Sequence, residues 1–187
     1  FMGDELDSTM HYPLRDILLG YINYTIGSGY AAERLESLSE NYPRENFYGA
    51  LNLIGSHDRE RIITAMAAEE DYQAAVKKVR VMSALEFTLP GVPCIYYGDE
   101  VGLTGGRDPE NRSGYPWGYE NLDLGYHYRM LGLIYDEHPV LKDGEFTMLS
   151  GREGISDDIF AFTRSYPEAD ERILVLASRS YGPVEVD

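Results

Sequence analysis

The chain has 187 residues, which is the size of one ordinary domain or of one domain with a small appendage. Its 16 Lys and Arg against 32 Asp and Glu give a formal net charge of −16, which disfavours binding to nucleic acid or to an anionic membrane. Hydrophobic residues make up 43% of the chain, enough for a packed core, while the single Cys94 excludes an internal disulfide framework and no apolar run is long enough to span a bilayer.

The predicted elements alternate between strand and helix and then become strands only. Strands are predicted at 8–12, 50–54 and 92–97, and helices at 14–24, 31–38, 71–88 and 122–135. The helix at 71–88 has the clearest apolar stripe, with Asp71 at the N-cap position, and 98–121 is a long loop rich in Gly, Pro and Asn. Three further strands are predicted at 144–149, 158–166 and 172–180.

This order of elements predicts an α/β fold with a parallel sheet and helices packed outside it. The strand-only end predicts an antiparallel meander or the beginning of a β-sandwich. We therefore divide the chain into residues 1–139 and 140–187, with the boundary near 139–144. Neither end reads as a natural start or stop, which predicts a piece of a longer polypeptide and leaves the cellular location open.

His57 and Asp58 follow the predicted strand at 50–54, at the carboxyl end where parallel sheets place their chemistry. Asp58 could hold negative charge beside a developing cation, and His57 could donate a hydrogen bond to a substrate hydroxyl. Arg61 could keep Asp58 ionised, because a nearby cation lowers the pKa of a carboxyl group. The alternative is that Asp58 only caps the following helix and that His57 is an ordinary loop residue.

A second set of polar residues follows the strand at 92–97. The two carboxylates Asp99 and Glu100, with the phenols of Tyr96 and Tyr97, could bind a polyhydroxylated ligand. Equally, Glu100 could only accept hydrogen bonds from backbone amides, and the tyrosines could simply belong to the core. The loop at 107–112 adds two Arg and an Asp beside Trp117, and sugar sites combine such planar polar groups with an aromatic platform. A solvated charged loop is the alternative.

The chain lacks the motifs of metal-binding proteins, nucleotide-binding proteins and serine hydrolases. The histidines are not at metal-ligand spacing, the Gly-rich stretch at 102–106 has no Lys-Ser/Thr to hold a nucleotide, and no Gly-x-Ser-x-Gly elbow is present. No metal site is therefore predicted.

Taken together, the motifs resemble those of the α-amylase family of glycoside hydrolases. The segment 52–61 (Asn-Leu-Ile-Gly-Ser-His-Asp-Arg-Glu-Arg) resembles the family's fourth conserved region, at the end of the seventh barrel strand. Residues 89–100 resemble the eighth strand and its exit, 107–117 the loop that shapes glucose subsites, and 6–13 the sixth strand. The sequence Leu-Ile-Gly-Ser-His-Asp at 53–58 is most similar to that of the neopullulanase, cyclomaltodextrinase and maltogenic amylase branch.

The resemblance implies the C-terminal part of a (β/α)8 TIM barrel, strands six to eight, followed by the start of an antiparallel β-sandwich. It also implies hydrolysis of α-glucosidic bonds with retention, in starch-type oligosaccharides, pullulan or cyclodextrins. Asp58 would be the third catalytic carboxylate and His57 would bond the sugar in the cleaved subsite. Asp108 and Arg112 would bind the next glucose. Further substrate-binding candidates are Arg61, Glu100 and Trp117.

The chain lacks the family's Gly-x-Arg-x-Asp nucleophile context and its fifth-strand Glu. We therefore expect the nucleophile and the acid/base to lie outside these residues and the isolated piece to be inactive. Three strands of a barrel leave open edges, so we expect a complementary N-terminal half or self-association as partner. The chain has Arg112-Ser113 where the family more commonly has two consecutive arginines.

A non-catalytic carbohydrate-binding or transporter-accessory protein with an amylase-like barrel is the alternative function. No cofactor is expected in this piece, because the family's calcium sites usually lie in parts absent here, although the complete parent could bind calcium. The branch resemblance favours a cytoplasmic location.

Overall fold

A computed structural model describes residues 6–67, 71–169, 171–180 and 182–184. Three short parallel segments form the centre of its first part. Strand β1 (Leu51–Asn52) pairs with β2 (Val92–Pro93) in register, Leu51 opposite Val92. Met10 forms a parallel bridge to Leu51 on the other side, so the carboxyl ends of all three segments lie at one edge.

Helices cover these segments. In the described residues they are α1 (Tyr12–Ile22), α2 (Ser28–Glu40), α3 (Arg44–Tyr48), α4 (Ile62–Met66), α5 (Tyr72–Thr88), α6 (Leu122–Glu137) and α7 (Val140–Asp143). The side chain of Asp71 accepts a 2.8 Å bond from the amide of Ala74, which confirms the predicted N-cap of α5. Asn121 caps α6 in the same way, accepting from the amide of Leu124 at 3.0 Å.

The last part of the described chain is an antiparallel meander of three strands. They are β3 (Glu145–Met148), β4 (Ile159–Tyr166) and β5 (Glu171–Ser178), in the order β3-β4-β5. Phe160 and Phe162 on β4 are fully buried and belong to the same apolar cluster as Leu18 of α1 and Val79 of α5. The meander therefore packs on the helices through one continuous core.

Tyr21 fastens α1 to this meander. Its hydroxyl lies 2.8 Å from the carbonyl of Asp158 and 2.7 Å from that of Ala177, and it accepts a 3.1 Å bond from the amide of Phe160. Arg164 of β4 is buried and donates to the carbonyls of Thr88 and Gly144. Buried backbone groups at the junction thus have side-chain partners.

The predicted strands are longer than the paired segments. In the predicted strand 8–12 only Met10 pairs, and α1 begins at Tyr12, because Pro13 occupies the first turn of a helix, where its missing N–H costs nothing, instead of ending a strand. Pairing is confined to two residues each in the strands predicted at 50–54 and 92–97. In the part of the chain that is described, no helix is long and apolar enough to cross a membrane.

Candidate functional site

The turn after β1 carries the first pair of candidate residues. The Nε2 atom of His57 lies 3.1 Å from Oδ1 of Asp58, and both side chains are about half exposed, at 48% and 58%. The hydroxyl of Tyr12 lies 3.1 Å from the other carboxylate oxygen of Asp58 and 3.0 Å from the hydroxyl of Ser56. Asp58 is therefore held from two sides, while the pair remains open to solvent.

The backbone of this turn is also fixed. The amide of Asp58 donates to the hydroxyl oxygen of Ser56 at 3.2 Å. Gly55 is required by close approach, since a Cβ atom there would lie 1.7 Å from Oδ2 of Asp99. The residues after β1 thus form a tight turn that packs against the segment following β2.

The loop after β2 carries the second set of candidates. Nε of Arg112 lies 3.6 Å from Oδ2 of Asp108, and both side chains are largely exposed. Two tyrosines that follow β2 tie this loop down, because the hydroxyl of Tyr96 donates to the carbonyl of Asn111 at 3.2 Å and that of Tyr97 to the carbonyl of Ser113 at 2.7 Å. These phenols are therefore occupied in holding the loop.

The turn and the loop share an open cleft of about 630 Å³. Asp58 and Asp108 line it from the two sides, together with the cations Arg59 and Arg107. Residues of α1 also line the cleft, among them Arg15, whose Nε donates to the carbonyl of Ile54 at 2.9 Å. Acidic oxygens and guanidinium groups facing one cavity can bond the hydroxyl groups of a polar ligand from several directions.

Arg61 lies elsewhere than the sequence predicts. Its side chain is fully buried, with Nη1 3.3 Å from Oδ1 of Asp99 and bonded to the carbonyl of Tyr97. The guanidinium also stacks 4.1 Å from the ring centre of Tyr96. The ion pair expected with Asp58 is replaced by one with Asp99, because Arg61 turns inward under the loop, where no ligand in the open cleft can reach it.

Of the candidate residues only Asp58 and Asp108 line the cleft, and His57 and Arg112 lie outside its lining although each contacts one of these two carboxylates. Glu100 and Trp117 are outside the lining as well. Glu100 is half-buried, and its Oε2 has no hydrogen-bond partner among the described residues. Trp117 is 78% exposed, and its ring centre lies 4.5 Å from that of Tyr115. Trp117 is outside the set of residues that line the cleft, but it lies on the same loop as Asp108 and Arg112.

Two carboxyl groups beneath the site are deeply buried. Burial raises the pKa of Asp99 to about 7, although the positive charge of Arg61 opposes the rise. Burial also raises the pKa of Glu86 well above its usual range, and the charge of Asp99 adds to this effect. Among the described residues no group of three or more His, Cys, Asp or Glu is placed to hold a metal ion.

Sequence reasoning missed two residues of this region. Tyr12 bonds Asp58, and its position just after the first parallel segment, at the same edge as the motif, was the available signal. Asn111 is buried in the loop and bonds the turn after β1, but nothing in the sequence pattern distinguishes it from a solvated loop residue.

Charged side chains that converge at the carboxyl ends of neighbouring parallel strands are typical of the active-site face of an α/β barrel enzyme. Residues 1–138 match the family model described as alpha amylase, catalytic domain. The chain therefore belongs to the alpha-amylase family of glycoside hydrolases.

Individual relatives agree with this family. The chain is 35% identical over 183 residues to an amylopullulanase of Thermoanaerobacter thermohydrosulfuricus, covering 87% of this chain and 12% of the relative. It is 32% identical over 187 residues to a cyclomaltodextrinase of Geobacillus thermopakistaniensis, covering 98% of this chain and 30% of the relative.

A solved structure shows the same fold. The ligand-free cyclic alpha-maltosyl-(1→6)-maltose hydrolase of Arthrobacter globiformis superposes with a TM-score of 0.86 at 35% identity, covering 97% of this chain and 39% of that one. The chain thus spans less than half the length of the relatives that it matches here.

Proposed function

We propose that this chain supplies part of the active site of a retaining hydrolase that cleaves α-glucosidic bonds in starch-type oligosaccharides, pullulan or cyclodextrins. The observation that carries the proposal is the shared cleft, in which Asp58 from the turn after β1 faces Asp108 from the loop after β2. The relatives named cyclomaltodextrinase and amylopullulanase support this choice of substrates.

In this proposal the three parallel segments at Met10, β1 and β2 are the sixth, seventh and eighth strands of a (β/α)8 barrel. Residues 1–139 are then the end of the barrel domain, and 140–187 begin a C-terminal β-sandwich. The parallel register of the three segments and the antiparallel meander of β3 to β5 support this division.

Each polar side chain has a role that its exposure and charge permit. Asp58 is the third carboxylate, which stabilises positive charge on the sugar in the transition state. His57 donates to a hydroxyl of the sugar being cleaved, and Asp108 with Arg112 binds the next glucose. Retaining enzymes need a nucleophile and an acid/base carboxylate about 5–5.5 Å apart, and we assign both to strands other than these three.

The same reasoning proposes what completes the site. A parallel sheet of three segments has an open edge on each side, and barrels remove such edges by closing. We propose that the remaining barrel strands, or a second copy of the chain, cover these edges and bring the nucleophile and the acid/base to the cleft.

Asp58→Asn in the complete polypeptide tests the proposal. The amide keeps the size of the carboxylate but removes its charge, so turnover of starch, pullulan and cyclodextrins should fall by about 100- to 1,000-fold. Asp136→Asn is the matched control, because Asp136 is an exposed carboxylate on α6, outside the residues that line the cleft, and it should leave turnover unchanged.

Two results would count against the proposal. Asp58→Asn turning over these glucans as fast as the wild type would remove the role given to Asp58. A complete wild-type protein that binds glucans without cleaving any of them would favour the non-catalytic carbohydrate-binding alternative.

A further inference from the structure

Asn111 is the one side chain of the loop 105–117 that is both polar and almost fully buried in the described structure, at 1% exposure. Its Nδ2 donates to the carbonyl of His57 and to the carbonyl of Arg59, both at 2.8 Å. These two carbonyls flank Asp58 in the chain. Both hydrogens of a single amide group are therefore used to fix the backbone on either side of Asp58.

The other end of Asn111 is fixed as well. Its own carbonyl accepts a bond from the hydroxyl of Tyr96, which follows β2. The next residue is Arg112, which pairs with Asp108. Asn111 thus connects three points: the exit of β2, the Asp108–Arg112 pair, and the turn that carries Asp58.

Through these hydrogen bonds, a movement of the loop can displace the backbone around Asp58. These two hydrogen bonds are costly to lose, because the Asn111 amide is buried and its donors would be left without partners. A displacement of the loop therefore either breaks these bonds or carries the backbone around Asp58 with it. A misplacement of about 1 Å in a reacting constellation can reduce the rate by about 100-fold.

We propose that Asn111 is a positioning residue that holds Asp58 in register with Asp108 and Arg112, so that a sugar bound by the loop is aligned with the His57–Asp58 pair. This inference rests on the proposed function, because it assigns that same site a further residue. Asn111 acts through the backbone and does not contact substrate.

The test uses the complete polypeptide with Asn111→Leu, which keeps a similar volume and removes both donors. We expect kcat/KM on a linear malto-oligosaccharide to fall by about 10- to 100-fold. Asn121→Leu is the matched control, since Asn121 caps α6 with its side chain and should affect only the unfolding midpoint. If Asn111→Leu does not fold, Asn111→Ser replaces it, with an expected intermediate loss.

A double-mutant cycle with Arg112→Ala separates positioning from a merely structural role. If Asn111 aligns the loop with Asp58, Arg112→Ala should cost much less in the Asn111→Leu background than in the wild type, whereas independent effects would multiply. Hydrogen exchange of the amides at 55–61 should also speed up in Asn111→Leu and not in Asn121→Leu.

The inference is overturned if Asn111→Leu keeps wild-type kcat/KM, or if its effect and that of Arg112→Ala multiply while exchange at 55–61 is unchanged. Failure of the proposed function is a different result, because then the wild-type protein itself cleaves no α-glucan.

Discussion

Asp99 should make the stability of this protein depend on pH in a way that a surface carboxylate cannot. Its side chain is 1% exposed, and its nearest cation is Arg61, at 3.3 Å. Its other oxygen, Oδ2, has no hydrogen-bond partner among the described residues and faces Gly55. Asp99→Asn removes the titrating group while keeping its shape.

The size of the effect follows from the pKa of the buried carboxyl. Burial raises the pKa of Asp99 from 3.8 to about 7, so the folded state holds the proton more tightly than the unfolded state. Stability is therefore greatest below the unfolded pKa and is lost as pH rises towards the folded pKa. A shift of this size corresponds to about 4 kcal/mol, spread over the interval at about 1.4 kcal/mol per pH unit.

Urea unfolding at about pH 4.5, 5.5, 6.5 and 8 measures this dependence. The difference between wild type and Asp99→Asn reports the titration of Asp99 together with its coupling to Glu86, whose pKa the charge of Asp99 raises. We expect the wild type to lose stability relative to the variant up to about pH 7 and to run parallel to it above. Parallel curves throughout would show that Arg61 keeps Asp99 ionised in the folded state and would refute the reasoning.

Two further substitutions test contacts on which the fold depends. Tyr21→Phe removes the hydroxyl that accepts a hydrogen bond from the amide of Phe160, so the free energy of unfolding should fall by about 1–3 kcal/mol. A change below about 0.5 kcal/mol would contradict the role given to this hydroxyl. Gly55→Ala places a Cβ atom 1.7 Å from Oδ2 of Asp99 and should lower the free energy of unfolding in urea by about 1–3 kcal/mol. The control is Gly132→Ala on α6, where an added Cβ meets no atom within 4 Å, and it should be neutral or stabilising. Equal effects of the two substitutions would refute the close-approach argument.

The helices were readable from the sequence because their signals are local. The apolar stripe of α5 and its cap at Asp71 lie within a single stretch of chain, and the structure has the helix at Tyr72–Thr88, within one residue of the prediction. The alternation of Phe160 and Phe162 similarly indicated β4. In each case the residues that fix the element are close neighbours in the sequence.

The parallel strands were harder to delimit because their length depends on their neighbours. An apolar run such as 92–97 is compatible with a long strand, but only Val92 and Pro93 pair with β1. The strand predicted at 8–12 stops just before Pro13, whereas Pro13 stands in the first turn of α1. A local pattern cannot separate these uses of proline, since both place it at an element boundary.

The partner of Arg61 could not be inferred from spacing. Asp58 is three residues away in the chain and Asp99 is 38 residues away, yet the ion pair is formed with Asp99. The cause is the turn itself: Gly55 lets Asp99 approach the backbone, and the guanidinium then fills the space between Asp99 and Tyr96. Which carboxylate a buried cation meets is decided by how two strand exits pack.

The exposed residues of the candidate site can therefore be found from sequence motifs, whereas the contacts of the buried residues can be found only from the structure. His57, Asp58, Asp108 and Arg112 are the residues that a motif reveals, and their side chains are largely exposed, as the proposed contact with a ligand requires. Asn111 and the Arg61–Asp99 pair are buried and bond across the two strand exits, which is what the proposed positioning of these residues requires. Substitutions in this buried set should thus disturb the proposed site even though none of these side chains lines the cleft.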